Sequence, residues 1–291
     1  MINDYKTPYN GASSLINDLI ELSRSGDYVF RGVSESYQLE PSIKRYYLNE
    51  EYRDLSRSEN QLLFDFYRNS SSYLEGNLDL IDFVAYAQHY GLPTRLVDWT
   101  RDPFVALYFA INKVEKENQT VKIFYSDLKD NTLINRANFG FSNGQLEDGT
   151  EFIEDYDYFI RKLSNGSLEN DLRRRNGKLE SINVFDNTHY KHDALIFYEC
   201  KLSNDRLIAQ QGLFSIPKSI YGNDASLEIR DNSKFIEITL KKRELDKVKK
   251  FLKNMNYTSL RLFPDLQSIC EYIVKDTFEK DSNVEKEIFK K

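Results

Sequence analysis

One arginine stands inside a short segment that otherwise has the composition of a buried strand. Arg31 lies between Phe30 and Gly32 in the sequence YVFRG, residues 28–32. A guanidinium group binds a phosphate or a carboxylate through two parallel hydrogen bonds, and a neighbouring glycine lets a backbone or a ligand approach closely. Three interpretations are open: Arg31 binds an anionic ligand, it pairs with Asp98 and fixes two strands, or it is an ordinary solvated surface residue.

A second polar cluster directly precedes a helix start signal in the sequence TRLVDWTRDP, residues 94–103. Asp102 followed by Pro103 predicts a helix with the aspartate as its N-cap and the proline in its first turn. The first N–H groups of such a helix can face an anion. The alternative is a hydrogen-bonded corner in which polar side chains satisfy backbone groups. The candidate ligand-binding residues of this cluster are Thr94, Arg95, Asp98 and Thr100.

Three further polar residues have spacing that is compatible with a binding cleft. His89 ends a predicted helix, where it either caps the last carbonyl groups or acts as a general acid at a pocket rim. The segment 206–217, RLIAQQGLFSIP, is predicted to be a strand. Side chains alternate along a strand, so we expect Arg206 and Gln210 to point into one cleft and Gln211 to face the other way.

Charge and cysteine content exclude several classes of protein. The formal net charge is −6, which argues against non-specific binding to nucleic acid or to an anionic membrane. The two cysteines, Cys200 and Cys270, are far apart and lack metal-ligand spacing, so we expect neither a disulfide framework nor a zinc site. No signal sequence or membrane-spanning apolar run is evident, which predicts a cytoplasmic protein without membrane association.

The elements that would position these residues follow from hydrophobic periodicity and from start and stop signals. Together they predict an α+β fold with a mixed, mainly antiparallel sheet that is split into two halves around a cleft and flanked by helices. Residues 131–190 are predicted to be a helical insertion with a mobile loop. The first predicted helix follows Ser13 and Ser14 and is ended by Gly26, and further predicted helices cover 56–74, 78–91, 103–110, 242–255 and 262–278. Predicted strands cover 27–32, 120–128, 194–202, 206–217 and 234–240, and 94–100 is predicted to be a short strand or an extended turn.

Four sequence blocks occur together in a characteristic order. They are YVFRG (28–32), AQHYGLPTRLVDWTRDPFVALYFA (87–110), RLIAQQGLFSIP (206–217) and LRLFPDLQSICEYI (260–273). With these blocks the chain resembles the FRG domain family of bacterial proteins. The resemblance implies an N-terminal helix at 1–27, an FRG domain at 28–273 that contains the insertion, and a C-terminal helical tail at 274–291. It implies no general biochemical activity.

A weaker resemblance concerns the R-S-E class of ADP-ribosyltransferases. An aromatic-Arg-Gly strand, a Thr-bearing strand before a helix of small residues, and a late strand with a polar residue are similar in order to that class. The resemblance implies an ADP-ribosyltransferase-like fold with NAD as cofactor. The implied catalytic residues are Arg31 at the pyrophosphate, His89 and Thr100 at the ribose or amide, and Gln210 at the acceptor. The implied cofactor-binding residues are Arg31, Gly32, Thr94, Arg95, Asp98 and Arg206.

The chain departs from that class at the third motif position. Gln210 and Gln211 stand where the class has a glutamate, and an amide cannot act as a carboxylate base or stabilise a developing positive charge as an ion does. We therefore keep two hypotheses. The first is an NAD-binding, ADP-ribosyltransferase-like enzyme or effector of a toxin or phage-defence system, which needs no metal and acts on a protein or nucleic-acid acceptor. The alternative is a non-catalytic module that binds a nucleotide or another ligand and signals to a partner, and the missing glutamate favours it.

Overall fold

A computed structural model gives the fold of the chain. It describes residues 11–34, 39–46, 55–73, 80–114, 118–134, 171–175, 178–182, 194–200, 204–217, 220, 224–274 and 277–278. The helices of this part are α1 Ala12–Ser25, α2 Leu55–Ser70, α3 Leu80–His89, α4 Pro103–Ile111, α5 Asp205–Gln210, α6 Asp224–Asp231, α7 Lys242–Asn254, α8 Ser259–Leu262 and α9 at 266–274.

In the described part of the chain, seven strands form one sheet, and two others pair with each other in a second sheet. The strands are β1 Tyr28–Ser34, β2 Val97–Thr100, β3 Thr120–Asp127, β4 Thr132–Ile134, β5 Asp171–Arg175, β6 Lys178–Ile182, β7 Ile196–Tyr198, β8 Gly212–Ser215 and β9 Lys234–Thr239. The sheet order is β4-β7-β8-β2-β1-β3-β9, and β5 pairs with β6. Only β4 and β7 pair in parallel among these strands. The predicted α+β class with a mixed, mainly antiparallel sheet is confirmed.

The pairing between neighbouring strands is shortest at the centre of the sheet. Strands β1 and β2 are paired at a single position, Phe30 with Thr100. In contrast, β1 pairs with β3 along its whole length, and all four residues of β2 pair with β8. The sheet therefore consists of two halves that meet at one residue pair and diverge beyond it. We call the gap between the diverging strands the split; Arg31 and Asp98 border it.

Helices cover one face of both halves. Helices α1, α4 and α7 pack on the β1-β3-β9 half, and α2 and α3 pack on the other half. The opposite face carries a smaller apolar cluster that reaches α6 through Ile229. The fully or almost fully buried residues that represent the three clusters are Leu15, Phe30, Leu107, Val248; Leu63, Phe83, Tyr198; and Val29, Trp99, Phe197.

Helix α4 begins as its sequence predicts. The side chain of Asp102 accepts hydrogen bonds from the N–H groups of Phe104 and Val105, and Pro103 occupies the first turn. The helix is buried along most of its length because Ala106 and Ala110 leave room for β1. The Asp102 N-cap therefore fixes the end of β2 relative to β1.

The predicted strand at 206–217 is wrong in its first half. Asp205–Gln210 form helix α5. Its N-cap is Asn204, whose side chain accepts from the N–H of Leu207. Gln211 ends the helix with a φ of 46°, and the strand covers only Gly212–Ser215. A local N-cap outweighs the apolar alternation here. Arg206 and Gln210 consequently do not share a strand face.

The structure describes only parts of the predicted insertion at 131–190, and these parts are strands. Thr132–Ile134 form a strand that pairs with β7, and β5 and β6 pair from Asp171↔Ile182 to Arg175↔Lys178. The other residues of the insertion lie outside the described ranges.

Within the described ranges, no helix combines the length and the apolar character that crossing a bilayer requires.

Candidate functional site

Arg31 bridges the split between the two halves of the sheet. Its Nη1 donates a hydrogen bond of 2.5 Å to the backbone carbonyl oxygen of Asp98, and the residue as a whole is half-buried. If the antiparallel pairing continued beyond Phe30 and Thr100, Gly32 would lie opposite Asp98. The guanidinium group thus donates a hydrogen bond to a carbonyl group that faces the split. The predicted link between Arg31 and Asp98 exists, but it joins the side chain to the backbone and not to the carboxylate.

The positive charge of Arg31 is incompletely compensated. Its Nε is buried and has no hydrogen-bond partner among the described residues. Burial lowers the pKa of Arg31, the nearby Asp98 carboxylate counteracts this, and the positive charge of Arg45 lowers the pKa further. An arginine stays protonated in proteins, so the site carries a cation whose donors are not all used. Unsatisfied buried donors often mark functional sites.

The carboxylate of Asp98 belongs to a chain of polar side chains that ends at a buried threonine. Asp98 Oδ1 accepts from Gln88 Nε2 at 3.0 Å, and Gln88 Oε1 accepts from the hydroxyl group of Thr94. The N–H of Thr94 donates to Ser42 Oγ at 2.9 Å. Asp98 is exposed, whereas Thr94 is fully buried. The buried Thr94 therefore orients Gln88, and Gln88 orients Asp98. Asp98 is the exposed member of this hydrogen-bonded series and lies at the split.

The sequence alone does not identify Gln88 as a residue of the site. It lies one residue before His89 in the AQHYG sequence, and a glutamine near a helix end has no distinctive local pattern. A polar residue within the most specific block of the chain was the available signal.

Gly32 faces helix α4 and not the split. A Cβ atom at this position would lie 1.8 Å from the carbonyl oxygen of Ala106 and 2.8 Å from the N of Ala110. The expected close approach is therefore confirmed, but its partner is a helix backbone. This geometry gives Gly32 a packing role and does not favour cofactor binding.

Arg95 is buried in an ion pair away from solvent. Its Nε lies 2.6 Å from Glu59 Oε2, and its backbone N–H donates to Glu59 Oε1 at 2.7 Å. The two side chains are 3% and 0% exposed. The cofactor-binding role predicted for Arg95 is not favoured, because Glu59 already compensates the charge.

Thr100 and Gln210 lie close together, as the prediction of a shared site requires. However, Thr100 Oγ1 donates to the carbonyl oxygen of Gln210 at 2.6 Å and accepts from the N–H of Asp102 at 3.0 Å. Gln210 Nε2 donates to the carbonyl oxygen of Leu262 at 2.8 Å. These contacts join β2, α5 and α8, so the polar groups of both residues serve the fold.

His89, Arg206 and Asp265 are electrostatic neighbours and form a second cluster of polar residues. Burial lowers the pKa of His89, the positive charge of Arg206 lowers it further, and Asp265 counteracts both. The guanidinium carbon of Arg206 lies 4.9 Å from the ring centroid of Phe263. The structure thus places Arg31 and Asp98 at the split, while His89 and Arg206 are grouped with the C-terminal segment.

Residues of the metal-ligand types do not cluster in groups of three or more within the described ranges.

Comparison with protein families supports one assignment. Residues 26–119 match the model of the FRG domain. The chain therefore contains an FRG domain, as its sequence blocks predict, and the matched region includes β1, β2, α4 and the split. The blocks at 206–217 and 260–273 lie outside the match. No curated protein and no solved structure gives a significant match to the chain.

Proposed function

We propose that this FRG domain is a binding module for a nucleotide-type ligand, with NAD as the first candidate, and that the ligand's phosphate binds Arg31 at the split. The observation that carries the proposal is the state of Arg31. It is a cation at the junction of the two half-sheets, it is hydrogen-bonded to a neutral carbonyl group, and its Nε has no partner in the described part of the chain. A phosphate supplies the acceptors that the unused donors of Arg31 lack.

The neighbours of Arg31 support a nucleotide over a simple anion. The positive charge of Arg45 lowers the pKa of Arg31, so a second cation lies near the split. The Asp98 carboxylate is exposed beside the guanidinium group and is held in place by Gln88. A carboxylate that accepts from ribose hydroxyl groups, next to donors for phosphate, is a recurrent arrangement in nucleotide sites.

ADP-ribosyl transfer is the second candidate function. Thr100 and Gln210 are engaged in contacts that hold the fold, which favours the binding module. One observation favours the enzyme: the split contains an exposed carboxylate, Asp98, which is the kind of group that transfer chemistry needs. A role in toxin or phage-defence systems remains a prediction from the resemblance alone.

Two measurements test the proposal. Calorimetric titration of the full chain with NAD, ADP and pyrophosphate should show binding of all three, because each carries phosphate for Arg31, with NAD and ADP binding more tightly than pyrophosphate. Chromatography after long incubation with NAD should show no release of nicotinamide. Release that stops in an Asp98→Asn variant would support the transferase instead, and failure of all three compounds to bind would contradict both functions.

A further inference from the structure

An open cavity of about 940 Å³ lies on the sheet face opposite helix α4. It is formed by the ends of β1, β3 and β9 on one side and by α6 on the other. Residues Phe124, Lys122, Phe235, Glu237, Ser226 and Arg230 are among those that line it. Its volume is in the range of sites that hold a small molecule.

The strand register connects this cavity to Arg31. Arg31 lies directly opposite Phe124, and Phe124 lies directly opposite Phe235. Directly opposite residues project from the same face of a sheet, so the three side chains form a row across β1, β3 and β9. Neighbouring strands are about 4.8 Å apart, which places the backbone of Phe235 about 10 Å from that of Arg31. The guanidinium group of Arg31 extends further from the cavity, to Asp98 on β2, so a ligand that reaches both must be extended, as a nucleoside diphosphate is.

The chemistry of the cavity suits a planar ring. Phe235 is 40% exposed, and its ring is tilted against that of Phe124 at a centroid distance of 5.6 Å. Lys122 Nζ lies 4.6 Å from the centroid of Phe235 and 3.5 Å from Glu237 Oε2. The part of the Phe235 ring that Phe124 and Lys122 leave exposed on the cavity wall offers a stacking surface to a base.

Arg230 adds a cation at the cavity rim. It is exposed and forms no ion pair with any residue in the described ranges. Lys122 and Glu237 neutralise each other on the cavity floor. Glu40 also lines the cavity, and Arg230 is a positive charge at the rim that an anionic or electron-rich ligand can contact.

We infer that this cavity holds the nucleobase of the ligand whose phosphate binds Arg31, with the base stacked on Phe235 and Arg230 at its edge. This inference rests on the proposed function. It extends the site from the split across β1 and β3 to β9, along one row of side chains.

The experiment compares a ligand with a base and a ligand without one. ADP and inorganic pyrophosphate are titrated into the wild-type chain and into Phe235→Leu, Arg230→Gln and Arg31→Lys variants. A base that stacks on an aromatic side chain gains binding free energy, so Phe235→Leu should weaken ADP binding about tenfold or more. Pyrophosphate has no base, so its binding to this variant should be unchanged. Arg230→Gln should weaken ADP binding several-fold, whereas the matched change Arg243→Gln, on the exposed side of α7, should leave it unchanged.

The outcomes separate the two proposals. If Arg31→Lys weakens both ligands but Phe235→Leu binds ADP as the wild type does, the cavity is not the base site and the proposed function stands. An equal loss of both ligands in Phe235→Leu also overturns the inference. If neither ligand binds the wild-type chain, the proposed function fails and the inference fails with it. The unfolding midpoint of each variant verifies that it is folded.

Discussion

Glu59 of α2 holds Arg95 through two hydrogen bonds, one to the backbone N–H at 2.7 Å and one to Nε at 2.6 Å. The contact connects the second helix to the residues that lead into β2. Because both side chains are almost completely buried, the pair fixes the position from which β2 diverges from β1.

Removal of one partner of this pair should strongly destabilise the fold. Glu59→Ala leaves the Arg95 guanidinium buried without its carboxylate, which costs about 3–5 kcal/mol in the free energy of unfolding. Urea denaturation measures the change. Glu21→Ala is the matched control, because Glu21 pairs with Arg24 at the surface and its loss should cost less than about 1 kcal/mol. Similar costs for the two variants would contradict the structural role of Arg95.

The packing of β1 on α4 should not tolerate a methyl group at residue 32. Gly32→Ala places its Cβ against the carbonyl group of Ala106, so one backbone must move. We expect a loss of about 3 kcal/mol or more in the free energy of unfolding. Gly91→Ala is the control: its new Cβ meets no atom within 4 Å, and only the φ of +95° is unfavourable. A Gly32→Ala variant as stable as Gly91→Ala would show that the two elements are not in contact.

Tyr257 should remain protonated at unusually high pH. Its hydroxyl group donates to Asp102 Oδ2 at 2.8 Å. Burial, followed by the hydrogen bond to Asp102 and its negative charge, raises the pKa of Tyr257 to about 12. The unfolded chain loses this proton near pH 10, so the stabilising contribution is present below pH 10 and is lost as the pH rises towards 12. Ultraviolet titration of the wild type against Tyr257→Phe isolates the signal, and a difference spectrum that develops near pH 10 would contradict the contact.

His89 should titrate below the usual range of a histidine. Burial and the charge of Arg206 lower its pKa, so the ring stays neutral at pH 7. Arg206→Gln removes the second cause and should raise the pKa of His89, which nuclear magnetic resonance can follow because the chain has 3 histidines. An unchanged titration in Arg206→Gln would mean that the two side chains are not neighbours.

Local signals in the sequence are sufficient to predict the two elements at the centre of the domain, β2 and α4. The Asp102-Pro103 pair predicts the start of α4, and the alternation of Val97 and Trp99 predicts β2. Both are confirmed. Such features depend on residues only a few positions apart, so they can be read without knowing the fold.

The contacts that the sequence did not reveal are long-range. Glu59 and Arg95 are 36 residues apart, and nothing near either residue indicates the other. The apolar alternation in 206–217 predicts a strand throughout, but Asn204 is a local capping residue that starts helix α5 instead. The use of Thr100 and Gln210 in the fold follows from the packing of α5 against α8, which cannot be deduced from either segment alone.

The most direct test of the central claim is the affinity of an Arg31→Lys variant for ADP, measured by calorimetry. Lysine keeps the charge but lacks the planar fork, so the loss of charged hydrogen bonds of about 1.5–3 kcal/mol predicts binding that is about 10- to 150-fold weaker. The Arg243→Lys variant on the exposed side of α7 should bind as the wild type does. An Arg31→Lys variant that is folded and binds ADP with wild-type affinity would contradict the assignment of Arg31 as the phosphate-binding residue of this FRG domain.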